Sequence, residues 1–343
     1  MTSATILSLI ILFFTLFLQR WLWELFIPKR GRNKAKFSIV IACKNEERNL
    51  PVLFDSLRSI KYDATYFEVI FVDDNSTDRT FELLTSFCLE SPQYHAYRLG
   101  EHTGKKYALQ AGIKNSLYDW IVLTDADCIV PVNWLESINN SIYKKPSMYI
   151  GYSPEIYKNS FQYFKQLAAA INYAASAYAG IPVSCSGRNL VFSKKAFFEI
   201  KGYEGLFHLA SGDDKLLMQR FIANDKKISY IPYPPVYTQP VEKMSLKNQN
   251  LRRYGKFSMS SLSWQMGMSI IGMLLLFVPV ELALKRNYLS FGGLIAALIL
   301  YVISGCALHR EKVRLSYLVY AVVYPYYLGF QMIRGMTKKW VWK

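Results

Sequence analysis

Residues 67–87, FEVIFVDDNSTDRTFELLTSF, read as a strand that runs straight into a helix. The first half, from Phe67 to Asp74, is a short apolar run rich in β-branched and aromatic residues, and it ends on two carboxylates. In the second half Asn75, Ser76 or Thr77 can cap a helix that carries Phe81, Leu83 and Leu84.

The same step repeats on either side. Upstream, FSIVIA (residues 37–42) is a second β-rich run, followed by CKNEERNLPVLFDSLRSI with apolar positions at helical spacing. Downstream, KKYALQAGIKNS reads as a helix and DWIVLTDAD (residues 119–127) as another strand. Strands alternating with helices imply an α/β domain with a mostly parallel sheet, in which ligands collect beyond the carboxyl ends of the strands. The acidic residues are placed there, with Asp73 and Asp74 closing one strand and Asp125 and Asp127 another.

TDADC (residues 124–128) sets two carboxylates two residues apart just past a strand. Hard oxygen ligands of this kind suit Mg or Mn, which reach proteins through one or two carboxylates while a substrate diphosphate supplies further ligands. An acidic turn is the plain alternative. The second acidic strand end, VDDNSTD, from the same sheet edge favours the metal.

Taken in order, SIVIACKNEERNL, FVDDNSTDRT, GKKYALQAGI and TDADC resemble the nucleotide-sugar domain of family 2 inverting glycosyltransferases, which has the GT-A fold. SGDDKLLMQRF extends the likeness, because it is similar to the family's E-D-x-x-L-x-x-R signature with Asp213 and Asp214 as the acidic pair, Leu217 as the Leu and Arg220 as the Arg. The resemblance covers roughly residues 37–256 and implies roles position by position. Ala42, Lys44 and Glu46 would contact the nucleoside, with Ala42 standing where many members carry Pro. Asp73 or Asp74 would accept from the uracil N–H. Lys105 would lie near the donor diphosphate or base, unless it is an exposed surface lysine. Asp125 and Asp127 would hold a divalent ion, Mg or Mn, that neutralises charge on the departing nucleoside diphosphate. Asp214 would be the base that takes the acceptor's proton, and Asp213 would stand beside it. Capping of the helix KLLMQRF is the competing role for this acidic pair.

On the acceptor side, SCSGRNLVFSKKAF resembles the family's acceptor loop and strand, with Gly187 and Asn189 at the matching positions. NQNLRRYGKF is similar to the Q-x-x-R-W motif of membrane-integrated members. Arg253 and Tyr254 match Arg-Trp, whereas Asn250 occupies the Gln position. That departure weighs against polymer synthesis.

The ends of the chain are of another character. Ile6–Leu18, continued through Trp21, Trp23, Leu25 and Phe26, is long enough for a spanning helix of roughly 20 residues, and it lacks the basic start and cleavage site of a signal peptide. Behind it stand Lys29, Arg30, Arg32, Lys34 and Lys36, which by the positive-inside rule keep the following domain cytoplasmic. Trp264–Leu284, Leu289–Leu308 and Leu315–Ile333 read as further apolar segments, the last either spanning or lying in the interface. The expected domains are a transmembrane helix at 1–27, a GT-A domain at 37–258 and transmembrane or interfacial helices at 264–333, in a multi-pass protein of the cell membrane.

A net charge of +16 favours anionic partners. Nucleic acid is not expected among them, since no zinc-finger spacing, basic heptad region or aromatic RNA-binding motif is present. Five cysteines without a C-x-x-C pair suggest neither a disulfide framework nor a cysteine zinc site. The leading expectation is inverting transfer of a sugar from a nucleotide-sugar donor, UDP-linked, to a lipid or lipid-linked acceptor at the membrane. A processive polysaccharide synthase is the alternative in the same class, and a catalytically idle membrane binding protein or scaffold the alternative in another.

Overall fold

The structure, a computed structural model, describes residues 6, 9, 12, 34–142, 146–156, 159–209, 212–239 and 277–337. The chain divides into two compact units, one made of Leu25–Ile156 and Asn172–Gln239, the other of Met1–Glu24, Tyr157–Ile171 and Pro240–Lys343. Residues 157–171, which the sequence reading includes in the 37–258 domain, therefore group with the carboxyl-terminal helices.

The first unit holds a seven-stranded sheet. In chain order its elements are β1 (Phe37–Cys43), α1 (Leu50–Arg58), β2 (Phe67–Asp73), α2 (Thr80–Cys88), β3 (Tyr94–Arg98), α3 (Lys105–Asn115), β4 (Trp120–Leu123), β5 (Cys128–Ile129), α4 (Trp134–Ser141) and β6 (Met148–Gly151). The end of α5 (Ser160–Tyr178) follows, then β7 (Leu190–Ser193), α6 (Lys194–Glu199), α7 (Lys215–Ala223), β8 (Ile228–Ile231) and β9 (Tyr237–Thr238). Strand order is β3-β2-β1-β4-β7-β6-β8, with β5 and β9 forming a small second sheet. β1 pairs in parallel with both β2 and β4, and β2 with β3; β7 alone runs antiparallel to its neighbours β4 and β6.

β2 is buried along its whole length, as a strand covered on both faces must be, which is why it reads as a continuous apolar run. Its one charged intruder before the end is Glu68, and this carboxylate is satisfied. Glu68 Oε1 accepts from Ser38 Oγ and from the Leu117 amide, each at 2.6 Å, so it ties β1, β2 and the approach to β4 together at the amino-terminal edge. On one face Phe54 stacks on Phe87 at 4.0 Å and Phe87 on Tyr94 at 4.6 Å, while Phe71 meets Phe54 and Phe87 edge-on.

The cap expected for α2 is not formed. The helix begins at Thr80 behind Arg79, whose own side chain makes no cap; Asp78 Oδ1 accepts from the Thr80 amide instead, while Ser76 and Thr77 bond the loop after β1 and Asn75 donates to Gly100 O.

In the second unit, α8 (Tyr288–His309) and α9 (Leu315–Thr337) are joined by helical residues 277–284 and by the start of α5. The stretch Phe291–His309, with mean hydropathy 2.2 over 19 residues, is long and apolar enough to cross a membrane. α9 contains Pro325, and its apolar part, Leu315–Leu328, is shorter. Of the expected segment at 1–27 only Ile6, Leu9 and Leu12 are described, all helical, and residues 264–276 lie outside the described residues. Phe161 and Phe164 of α5 pack edge-on or tilted against Tyr317, Tyr320, Tyr324 and Tyr327 of α9, which explains why 157–171 groups here.

α3 lies so close to the sheet that Gly112 has no room for a side chain: a Cβ there would stand 2.5 Å from Val40 Cγ1 and 3.2 Å from Val72 Cγ2. Gly112→Val is expected to destabilise the chain by about 1–3 kcal/mol through overpacking, read as a lowered midpoint in urea denaturation. An unchanged midpoint would show that α3 does not rest on β1 and β2.

Candidate active site

Parallel pairing brings the carboxyl ends of β1, β2 and β4 to one edge, and the loops there are laced together. Asn45 N donates to Ser76 Oγ at 2.9 Å, Glu46 N to Thr80 Oγ1 at 2.7 Å, Thr77 N to Asn45 Oδ1 at 2.9 Å and Arg79 N to Glu47 Oε2 at 3.2 Å. Ser76, Thr77 and Asp78 thus spend themselves on positioning the 44–47 loop, while Asn75 Nδ2 donates to Gly100 O at 3.3 Å.

The two acids that close β2 differ. Asp73 is wholly buried, receives Arg98 Nε at 2.9 Å and accepts from the Ser76 amide. Asp74 takes Lys44 Nζ at 3.2 Å and the Gly104 amide at 2.7 Å, with Gly104 at φ +121, a conformation that favours glycine. Ala42 is half-buried just below, and Lys44 is exposed.

Beyond β4 the TDADC turn is clamped from below. The Cys128 amide donates to Asp125 O at 3.1 Å, the Gln239 amide to Asp127 O at 3.0 Å, and β5 pairs with β9. Ala126 is buried between the two half-exposed acids. Lys105, at the start of α3, places Nζ 2.7 Å from Asp125 Oδ1 and 3.3 Å from Asp213 Oδ2. One ammonium thus joins the carboxylate that follows β4 to the one that precedes α7.

The electrostatics follow from this crowding. Burial, reinforced by Asp125, raises the Asp127 carboxyl above its ordinary value, against the opposing pull of Arg188 and Lys105. Glu46 is raised as well, by burial first and then by Asp127 and Asp125, while its hydrogen bond from Asn49 works the other way. For Lys105 burial disfavours the charge, but Asp125 and Asp213 outweigh it and lift the ammonium well above its usual value. Burial pushes Asp213 up, yet Lys105 outweighs it and the carboxyl is lowered.

Asp125 and Asp127 fit a divalent cation by the chemistry of the donor set: two hard carboxylates, one of them raised by burial and further by its neighbour's charge. Among the described residues no group of three or more His, Cys, Asp or Glu gathers to hold a metal. Two protein carboxylates with the remaining positions left to phosphate oxygens is the arrangement Mg prefers.

Gly187 lies where an added Cβ would be 3.5 Å from Asp213 Oδ2 and 3.8 Å from Asp214 Cβ, so backbone and acidic pair are in close approach. Asp214 is the N-cap of α7, its Oδ1 accepting from the Lys215 amide at 2.7 Å. Asn189 departs from the acceptor-side expectation. Its amide is buried in the core, accepting from Trp134 Nε1 and donating to Tyr152 O, each at 3.0 Å, which makes it a brace for the loop. Asn250, Arg253 and Tyr254 lie outside the described residues.

The sequence reading passed over several residues. Arg188, between Gly187 and Asn189, binds Glu155 Oε1 at 3.1 Å and Thr238 Oγ1 at 2.8 Å and adds positive charge near Asp127. Behind Lys105, Lys106 Nζ donates to Leu209 O, and Tyr107 stacks on Phe207 at 4.2 Å. Three consecutive residues of α3 thus grip the loop that leads to Asp213. The doubled lysine of GKKY was the available signal.

Residues 38–206 match the family described as Glycosyl transferase family 2, so a domain of that family occupies this part of the chain. The fold is correspondingly α/β and GT-A-like. A stretch of 93 residues is 38% identical to the undecaprenyl-phosphate 4-deoxy-4-formamido-L-arabinose transferase of Pectobacterium carotovorum subsp. carotovorum (strain PC1), covering 26% of this chain and 28% of that protein. Over 93 residues the chain is 33% identical to the poly-beta-1,6-N-acetyl-D-glucosamine synthase of Staphylococcus aureus (strain COL), covering 27% of this chain and 22% of that protein. The match thus spans less than a third of either relative. Among solved structures, mannosyltransferase PcManGT from Pyrobaculum calidifontis, in complex with GDP-Man and Mn2+, aligns over 98% of this chain and 99% of its own with TM-score 0.58. At 16% identity that likeness is one of fold.

A cation must displace the protons that Asp127 and Glu46 retain to higher pH than ordinary carboxyls. Mn2+ titrated calorimetrically with UDP present is therefore expected to bind more tightly, and to release fewer protons, as the pH rises above the carboxylate range. Asp127→Asn should weaken binding by at least about 10-fold. An affinity independent of pH and of Asp127 would remove the cation from this edge.

Proposed function

We propose that this chain transfers a sugar from a nucleoside diphosphate donor, a UDP-sugar, to a lipid or lipid-linked acceptor at the cytoplasmic face of a membrane, with inversion at the anomeric carbon. The observation that carries the reading is the Lys105 bridge, which sets Asp125 and Asp213 within reach of one side chain. Donor and acceptor chemistry then share a single edge of the sheet.

In this reading Ala42, Lys44 and Asp73 or Asp74 form the nucleoside side. Asp73, held by Arg98, and Asp74, held by Lys44 and the Gly104 amide, are both buried, and either carboxylate can meet the uracil N–H. Asp125 and Asp127 would hold Mg or Mn, which supplies Lewis-acid neutralisation of the leaving diphosphate. Lys105 exchanges its carboxylate partners for diphosphate oxygens as the donor enters, and Arg188 adds positive potential beside Asp127. Glu46 completes the acidic rim.

Inversion requires a base on the face opposite the leaving group. Asp213 is a poor base while Lys105 lowers its carboxyl. Asp214 takes the role, its Oδ1 fixed by the Lys215 amide so that the carboxylate is oriented before the acceptor arrives. Gly187 lets the acceptor loop approach the pair closely. The lipid acceptor is supported by the apolar helix Phe291–His309 and by the basic residues 29–36 beside an apolar amino-terminal run. The relative from Pectobacterium is named for transfer involving undecaprenyl phosphate, which agrees with such an acceptor.

Purified protein supplied with UDP-sugars, Mn2+ and membrane lipid extract is expected to yield a lipid carrying one added sugar by mass spectrometry. A ladder of masses would favour the polymer synthase instead. Asp214→Asn should lower transfer by about 10²–10⁴-fold while UDP affinity is preserved. Full transfer by both Asp214→Asn and Asp127→Asn would sink the assignment, and no turnover of any nucleotide sugar would favour an idle binding protein.

A further inference from the structure

Lys165 lies on the part of α5 that belongs to the second unit, and it is 9% exposed. Its Nζ donates to Tyr327 Oη at 3.1 Å and stands 4.9 Å from the centroid of the same ring. Among the described residues every lysine or arginine ion pair with a carboxylate is made by another cation. A phenol and its ring compensate a buried ammonium only in part, since removing the charge from water costs more than one neutral hydrogen bond and a cation–π contact return. An anion at Nζ would supply the remainder.

The surroundings specify which anion. Phe161 meets Tyr327 at 5.2 Å and Tyr320 at 5.1 Å, both edge-on, and Phe164 meets Tyr324 at 5.8 Å. Tyr317, Tyr320, Tyr324 and Tyr327 recur at helical spacing along one stripe of α9, and Phe161 and Phe164, which precede Lys165 on α5, pack against that stripe. Ser160 Oγ and Tyr320 Oη, 3.0 Å apart, form a further polar pair between α5 and α9. A lone charge with hydroxyl donors inside an aromatic wall matches a ligand that has a phosphate head and an apolar body. Free acidic metabolites have the first and not the second.

We infer that Lys165, with the Tyr327 hydroxyl, binds the phosphate headgroup of a lipid. The inference deepens the proposed function by giving the lipid acceptor a chemical class, and its meaning for transfer rests on that reading. Tyr327 holds Lys165 Nζ in place until the phosphate arrives and then donates to it. The aromatic stripe takes the first part of the lipid chain.

The test uses the full chain in an uncharged detergent, without any nucleotide sugar. Farnesyl monophosphate, farnesol and inorganic phosphate are titrated separately, with binding followed by calorimetry. Farnesyl monophosphate is expected to bind saturably, with farnesol and inorganic phosphate each at least about 10-fold weaker; Lys165→Gln should weaken the lipid phosphate by about 10-fold and Lys165→Arg should largely restore it. Thermal melting and UDP binding of each variant establish that it is folded. Inorganic phosphate binding as tightly as the lipid phosphate, and lost with Lys165, would overturn the lipid assignment in favour of a free-anion site. Lipid phosphate that does not bind, or that binds equally to folded Lys165→Gln, would overturn the site itself. Because no donor is present, failure here is distinct from a failure of sugar transfer, which nucleotide-sugar turnover reads independently.

Discussion

The parallel pairing of β1 with both β2 and β4 is the constraint on which the rest of the site depends. It aims three chain segments the same way, so the residues that follow them meet at one edge although they are far apart in sequence. Antiparallel pairing at either seam would send Asp73 and Asp74, or Asp125 and Asp127, to the opposite end of the sheet. The buried Glu68 network holds the amino-terminal edge, and the lacing of the 44–47 and 75–80 loops holds the other. Neither network touches chemistry, yet both fix where the carboxylates begin.

Charge then decides what that edge can do. Glu46, Asp125, Asp127 and Asp213 crowd together, and Lys105 and Arg188 balance them incompletely. The imbalance appears as opposite shifts within one kind of group, with Asp127 and Glu46 raised and Asp213 lowered. Carboxyls driven apart in this way are suited to different tasks. In the proposed reading the raised pair gains most from an added cation, whereas Asp213, paired with Lys105, would serve as a fixed support beside Asp214.

Much of this was legible in the chain. Continuous apolar runs ending in acids gave the central strands and the edge, because a doubly covered strand has no polar face to confuse the pattern. The acid motifs came together as their positions on that edge required. The part that escaped the sequence depended on who satisfies whom. Asn75, Ser76 and Thr77 are good caps in isolation, but Gly100 claims the first and the loop after β1 the other two, and α2 starts later. Asn189 sits in a motif position that suggests contact with ligand, but Trp134 and Tyr152 consume its amide. Arg188 was hidden between two residues that matched a motif. No periodicity reports partnerships across 55 or 50 residues of chain, which is what Trp134 to Asn189 and Arg188 to Thr238 are.

The same accounting of partners separates the cations. Arg98 is matched by Asp73, Arg188 by Glu155, and Lys105 by two carboxylates. Each pair is closed within the protein, so its charge contributes to position more than to binding, except where a ligand offers better oxygens, as the proposed diphosphate would to Lys105. Lys165 is of the other kind. Its described partner is neutral, so its charge is not cancelled within the fold and remains available to a molecule that brings an anion. A surface lysine could leave that charge to water, but one buried among tyrosine and phenylalanine rings cannot, and the cost of keeping it is the physical reason to look for what it holds.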